Sequence, residues 1–175
     1  MRAYKFLAED GTGVFSRFRW PLPSGGTGLL GRFRGGPGDW VDAEVDPCRS
    51  GVHACRLMDL PYWVTPALFE IELDGALRAE PIKVVAPRGR LLRRVGAWND
   101  KTREEYSRRC IARAKEIAAS GPERLSAWTP AGTSAGPALV GFVAARMAEE
   151  LWGVDAYVAE RGRQSAWLAD LLGLD

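Results

Sequence analysis

The chain has 175 residues, of which 46% are hydrophobic and 26% charged, with a formal net charge of +2 and a pI near 8.5. Those values exclude wholesale disorder and collagen-like repeats, fit one cooperative core, and lack the basic excess that nucleic-acid binding shows. No run approaches the ~18 apolar residues that span a bilayer, and Met1–Leu7 has no signal-peptide apolar stretch, so the expectation is a soluble, cytoplasmic protein without membrane contact.

Three cysteines without a secretory signal predict reduced thiols or metal ligands in place of a disulfide framework. Richness in Ala, Arg and Gly with only four lysines points to a high-GC, actinobacterial type of source.

In chain order, Tyr4–Leu7 and Val14–Trp20 carry the aromatic alternation of strands. Residues 21–39 hold seven glycines and three prolines without periodicity and read as a loop. No helix follows to present free N–H groups, so its glycines are not a phosphate cradle. Trp40–Val45 and Gly51–Cys55 read as short strands about a turn at Asp46-Pro47, and Met58–Trp63 as a short helix or turn. Leu68–Leu73 is the clearest strand, with Phe69, Ile71 and Leu73 on one face, Glu70 and Glu72 on the other, and a turn at Asp74-Gly75. Ile82–Val85 is a further strand, followed by the basic stretch Arg88–Arg94.

From Asn99 the period lengthens to that of helices. Tyr106, Cys110, Ala114 and Ile117 mark the inward stripe of the first, which Asn99 or Asp100 caps and Gly121-Pro122 stops. A second begins near Pro137 and ends at Gly153, with Val140, Val143, Met147 and Leu151 inward. A third runs from about Asp155 to Leu172, with Tyr157, Val158, Leu168, Leu171 and Leu172 inward and Glu160, Arg161, Arg163 and Asp170 outward. The whole predicts an α+β fold: a small twisted, mainly antiparallel sheet from the strand-rich part, residues 1–98, covered by about three helices from the helical part, residues 99–175.

Chemistry concentrates in Cys48–Cys55, where two cysteines and the only histidine stand at C-x4-H-x-C spacing. His53 and Cys55 share one strand face, Cys48 returns alongside through the Pro47 turn, and Cys110 would complete a Cys3His zinc set. A second reading makes Cys55 or Cys48 a nucleophile with His53 as its base. A third leaves the cluster buried and structural. Trp20, Arg19, Tyr62 and Trp63 are the candidates for a pocket wall. The partner would then be a small molecule or a protein, and a non-enzymatic interaction or immunity-type module is the rival to a site. The cluster Arg88, Arg90, Arg93 and Arg94 reads as a solvated face or a phosphate contact.

Residues 4–75, with the C-x-x-G-x-H-x-C motif and the strand Phe69–Gly75, resemble a domain of uncharacterised phage and bacterial proteins, and Tyr157–Leu172 is similar to the tails of actinobacterial proteins. The order Val52-His53, Asp59–Trp63 and Phe69–Gly75 is also similar to small ADP-ribosyltransferases. That resemblance implies NAD as cofactor and Glu70 and Glu72 as carboxylates stabilising an oxocarbenium-like centre. The alternation rule alone makes the same two residues the wet face of a half-buried strand.

Overall fold

The computed structural model describes residues 1–24, 35–46 and 50–174. Its strands are β1 (Arg2–Leu7), β2 (Val41–Asp42), β3 (Val52–Ala54), β4 (Ala67–Asp74), β5 (Arg78–Glu80), β6 (Lys83–Ala86) and β7 (Arg88–Arg94). Its α-helices are α1 (Asp100–Ala119), α2 (Pro137–Trp152) and α3 (Val154–Leu172). Antiparallel sheets in the N-terminal half and helices in the C-terminal half make the chain α+β, as its two periodicities predict. The chain divides into two units, Met1–Arg56 with Thr65–Gly96 and Leu57–Val64 with Ala97–Asp175. The short 3₁₀ segment Leu57–Tyr62 therefore groups with the helices, although it lies among the strands in sequence.

In the strand-rich unit the single sheet of the sequence reading is two, in the orders β1-β4-β7-β2 and β3-β6-β5. The alternation of β4 decides the packing, since Ala67, Phe69, Ile71 and Leu73 point one way and are buried. Opposite them stand Leu7, Lys5 and Ala3 of β1, in the register Leu7↔Ala67, Lys5↔Phe69 and Ala3↔Ile71. Leu91 of β7, Val52 and Ala54 of β3, Val84 and Ala86 of β6, and Trp20 complete this core. Backbone hydrogen bonds exchanged between Tyr4 and Cys55, each 2.8 Å, link β1 to the end of β3. At Gly89 a Cβ would lie 2.7 Å from Val52 and 3.2 Å from the Glu72 carbonyl, so this point of β7 has room only for glycine.

Two expected strands shrink. Val14–Trp20 forms a tight loop closed by the Thr12↔Arg19 bridge, with Arg17 in the left-handed region at φ 58° and Phe15 83% exposed. Its alternation fails because only Trp20 reaches the core, at 6% exposure. Of Trp40–Val45 only Val41–Asp42 pairs, with Gly89 and Arg88. The basic stretch Arg88–Arg94 is strand β7, an inner strand of its sheet. Its charges are taken up locally, Arg90 by Glu72, Arg93 by Glu70 and Arg94 by Glu9, while Arg88 and Arg90 lie over the Trp40 ring, each 4.5 Å from its centre.

In the helical unit, α1 starts at a capping box. Asn99 Oδ1 accepts from the N–H groups of Lys101 and Thr102, and the Thr102 hydroxyl accepts from the Asn99 N–H at 3.0 Å. Pro137 opens α2, and Gly153, at φ 88°, separates it from α3. Ala114, Ile117, Ala118, Leu125, Ala144, Met147 and Ala148 form the apolar core of the unit.

The facing of α3 differs from expectation in its first half. Glu160 and Arg161 are 2% and 5% exposed, whereas Val158 is 58% exposed. The reversal has a polar cause, because Glu160 pairs with Arg113 of α1, Arg161 donates to the Pro61 carbonyl and to Gln164 Oε1, and Gln164 Nε2 donates to the Gly141 carbonyl. No described helix is long and apolar enough to cross a membrane.

Candidate functional site

The site grows from one residue that breaks the pattern of its strand. Ala3, Lys5 and Leu7 share the core-facing side of β1, and Lys5 is the polar member between two residues that are 3% and 0% exposed. Lys5 is half-buried, with its Nζ donating to the His53 carbonyl at 2.5 Å and lying 4.6 Å from the centre of the Trp20 ring. No carboxylate pairs with it among the described residues.

Burial is the dominant cause of the resulting electrostatics. It pulls the Lys5 amine down to about 8, against a smaller upward pull from Cys55. His53 is likewise held below its ordinary value, first by burial and then by the positive charges of Lys83 and Lys5, with Ser50 and Glu80 opposing. Burial and two nearby amines thus both disfavour protonation of this half-buried imidazole. The Cys55 thiol, on a residue 2% exposed, donates to the Tyr4 carbonyl at 3.2 Å.

Lys5, Trp20, His53 and Cys55 therefore belong to one neighbourhood of the strand-rich unit. Trp20 enters it from the closed loop, where Phe18 meets its ring edge-on at 5.6 Å. Arg19, its sequence neighbour, is exposed. Cys48 lies outside the described residues. Cys110 belongs to the helical unit, fully buried on α1, where burial pushes its thiol up to about 12. Tyr62 and Trp63 also belong to the helical unit, and Tyr62 faces Tyr157 with ring centres 6.4 Å apart. Among the described residues no group of three His, Cys, Asp or Glu side chains is placed to hold a metal ion.

Glu70 and Glu72 occupy the face of β4 opposite the core. Glu72 accepts from Arg90 at 2.8 Å and Glu70 from Arg93 Nε at 2.9 Å, the second pair being two-pronged. Each carboxylate is spent on a cross-strand partner.

Lys5 is the residue that pattern reading of the motif passes over. Its signal was present in the alternation, since a strand whose apolar positions are Ala3 and Leu7 puts residue 5 inside. What the sequence does not show is the acceptor, a backbone carbonyl 48 residues away. Comparison with protein-family models, with curated proteins and with solved structures finds no match to this chain.

Proposed function

We propose that the strand-rich unit holds a small carbonyl compound and reacts with it through the Lys5 amine, with Trp20 as the wall of the site and His53 and Cys55 as its polar neighbours. The observation that carries this reading is the half-buried Nζ itself, held by one backbone carbonyl and an indole face and by no carboxylate among the described residues. A lysine kept only for stability is ordinarily exposed or paired, because burying an ammonium without an ion-pair partner is costly. Desolvation of this kind leaves an amine able to act as a nucleophile near neutral pH.

The step is imine formation. The nitrogen lone pair of neutral Lys5 attacks the carbonyl carbon, the carbonyl oxygen takes up a proton, and the carbinolamine loses water to leave a C=N bond. The overall change is one amine plus one carbonyl to one imine plus one water.

Propionaldehyde with cyanoborohydride at pH 7.5, followed by peptide mass mapping, tests the reading. From the difference in proton affinity alone, the neutral fraction of Lys5 exceeds that of an ordinary lysine roughly a hundredfold. Lys5 is expected to be propylated well ahead of Lys83, Lys101 and Lys115. If Lys5 proves the slowest amine in the chain, it is sealed from solutes and the reading fails.

A further inference from the structure

The helical unit contains a second cation with no carboxylate. Arg161 of α3 is 5% exposed, and no acidic side chain pairs with it among the described residues. Three aromatic rings surround its guanidinium instead: Tyr62 at 5.0 Å, Tyr157 at 5.5 Å and Phe142 at 5.8 Å from ring centre to Cζ. Its Nε donates to the Tyr157 hydroxyl at 3.3 Å, and Nη1 donates to Gln164 Oε1 at 3.0 Å and to the Pro61 carbonyl at 3.4 Å.

These partners are all neutral. They orient the guanidinium without neutralising it, whereas a buried cation is ordinarily paired. The adjacent acid on the same helix, Glu160, is committed elsewhere, to Arg113 at 3.0 Å and Arg163 at 3.4 Å. Nη2 has no hydrogen-bond partner among the described residues, and it is not one of the fully enclosed unsatisfied atoms, so it is the nitrogen left open to a further acceptor.

The surroundings of that open nitrogen are apolar. Phe142 is 45% exposed, and Val158, one turn before Arg161 on α3, is 58% exposed. The Tyr157 hydroxyl accepts from Arg161, which leaves its own proton for a further acceptor.

We propose that Arg161 and its three rings form a binding site for a small aromatic carboxylate, whose oxygens meet Nη2 and the Tyr157 hydroxyl and whose ring lies against Phe142 and Tyr62. The carboxylate supplies the directly paired negative charge that Arg161 lacks among the described residues, and the aromatic body fits the apolar rim. A charge-assisted hydrogen bond in such a partly desolvated setting is stronger than its counterpart in water.

Benzoate is the probe, with benzamide as its neutral isostere and acetate as the charge without the ring. Titration into the full-length chain, followed by NMR of the aromatic and methyl signals, is expected to give a saturable shift for benzoate at Tyr62, Phe142 and Tyr157. Benzamide and acetate are each expected to bind about tenfold or more weakly, one for lack of charge and the other for lack of stacking area. Phe142→Ala, at an exposed position, leaves the fold intact and is expected to weaken benzoate severalfold. Arg161→Met is expected to abolish the shift. Where that variant fails to fold, the benzoate-to-benzamide ratio in the unmodified chain still decides. Equal binding of benzoate and benzamide, or no saturable shift with benzoate, overturns the proposal.

Discussion

At Lys5 the structure keeps a charge where a leucine or methionine would be more stable. The unfolded amine titrates near 10.5 and the folded one at about 8, so between those values the unfolded chain holds more protons and stability rises with pH. Below pH 8 the folded state bears the full cost of the buried ammonium, on the order of 3 kcal/mol. Lys5→Met is therefore expected to stabilise the protein at pH 7 by about 1–3 kcal/mol, the lower figure allowing for the lost bond to His53. The gain should shrink between pH 8 and pH 10.5 in denaturant titrations. A Lys5→Met chain no more stable than the parent at pH 7 would mean that the amine is hydrated, and that its suppressed proton affinity is not real.

Burial governs the described cysteines in the same physical terms. Cys55 and Cys110 are 2% and 0% exposed, and burial holds the Cys110 proton up to about 12. In a Cys48→Ser chain, a thiol reagent at pH 8 is expected to find no fast-reacting group until denaturant is added, whereupon both remaining cysteines titrate. A fast native thiol in that variant would show that Cys55 or Cys110 opens readily to solvent.

Among the elements, those with a strong period and a clear punctuation mark were legible. Asn99, Pro137 and Gly153 marked where helices begin or end, and Phe69, Ile71 and Leu73 alternated over a full strand. Val14–Trp20 misled because alternation describes what a strand could bury, and among the described residues no neighbouring strand pairs with it beyond the Thr12↔Arg19 bridge. The first half of α3 misled for the opposite reason. A charge-based stripe sends Glu160 and Arg161 outward, but long-range partners on Arg113 and Pro61 turn them in, and such partners leave no periodic trace. Arg161 was thus hidden in the sequence as an ordinary surface charge.

Two glycines measure how tightly those inward polar groups are packed. Gly141 of α2 accepts from Gln164 Nε2 at 2.9 Å, and a Cβ there would lie 2.9 Å from the Tyr106 hydroxyl and 3.2 Å from Gln164 Oε1. Tyr106 is fully buried and cannot swing away, so Gly141→Ala is expected to cost about 1–2 kcal/mol despite the helix propensity it adds. Gly162, one helix over in α3, has nothing within 4 Å of such a Cβ. Gly162→Ala is expected to stabilise by up to about 1 kcal/mol. Opposite signs for the two substitutions in thermal melts would confirm the close approach at Gly141, and equal signs would refute it.

For the whole molecule, the decisive fact is that the chain passes between its units three times, after Arg56, Val64 and Gly96. Residues 57–64 therefore supply the helical unit with parts that the sequence after residue 96 lacks. The Leu57 carbonyl accepts from Ser165 at 2.7 Å, the Pro61 carbonyl accepts from Arg161, and Leu60 is fully buried. Cutting the chain at its apparent boundary near residue 98 removes the burial of Leu60, roughly 2 kcal/mol, takes from the Ser165 hydroxyl its acceptor at about 1–3 kcal/mol, and takes from Arg161 one of its acceptors. Those losses together approach the ~5 kcal/mol that is the lower end of stability for a whole domain. A chain of residues 97–175 alone is accordingly expected to show reduced helicity by circular dichroism and no cooperative melt. An excess of a synthetic 57–64 peptide is expected to recover part of the signal. Native-like, cooperative melting of the fragment without the peptide would mean that α1, α2 and α3 suffice for their own fold, and that the inserted turn is a passenger.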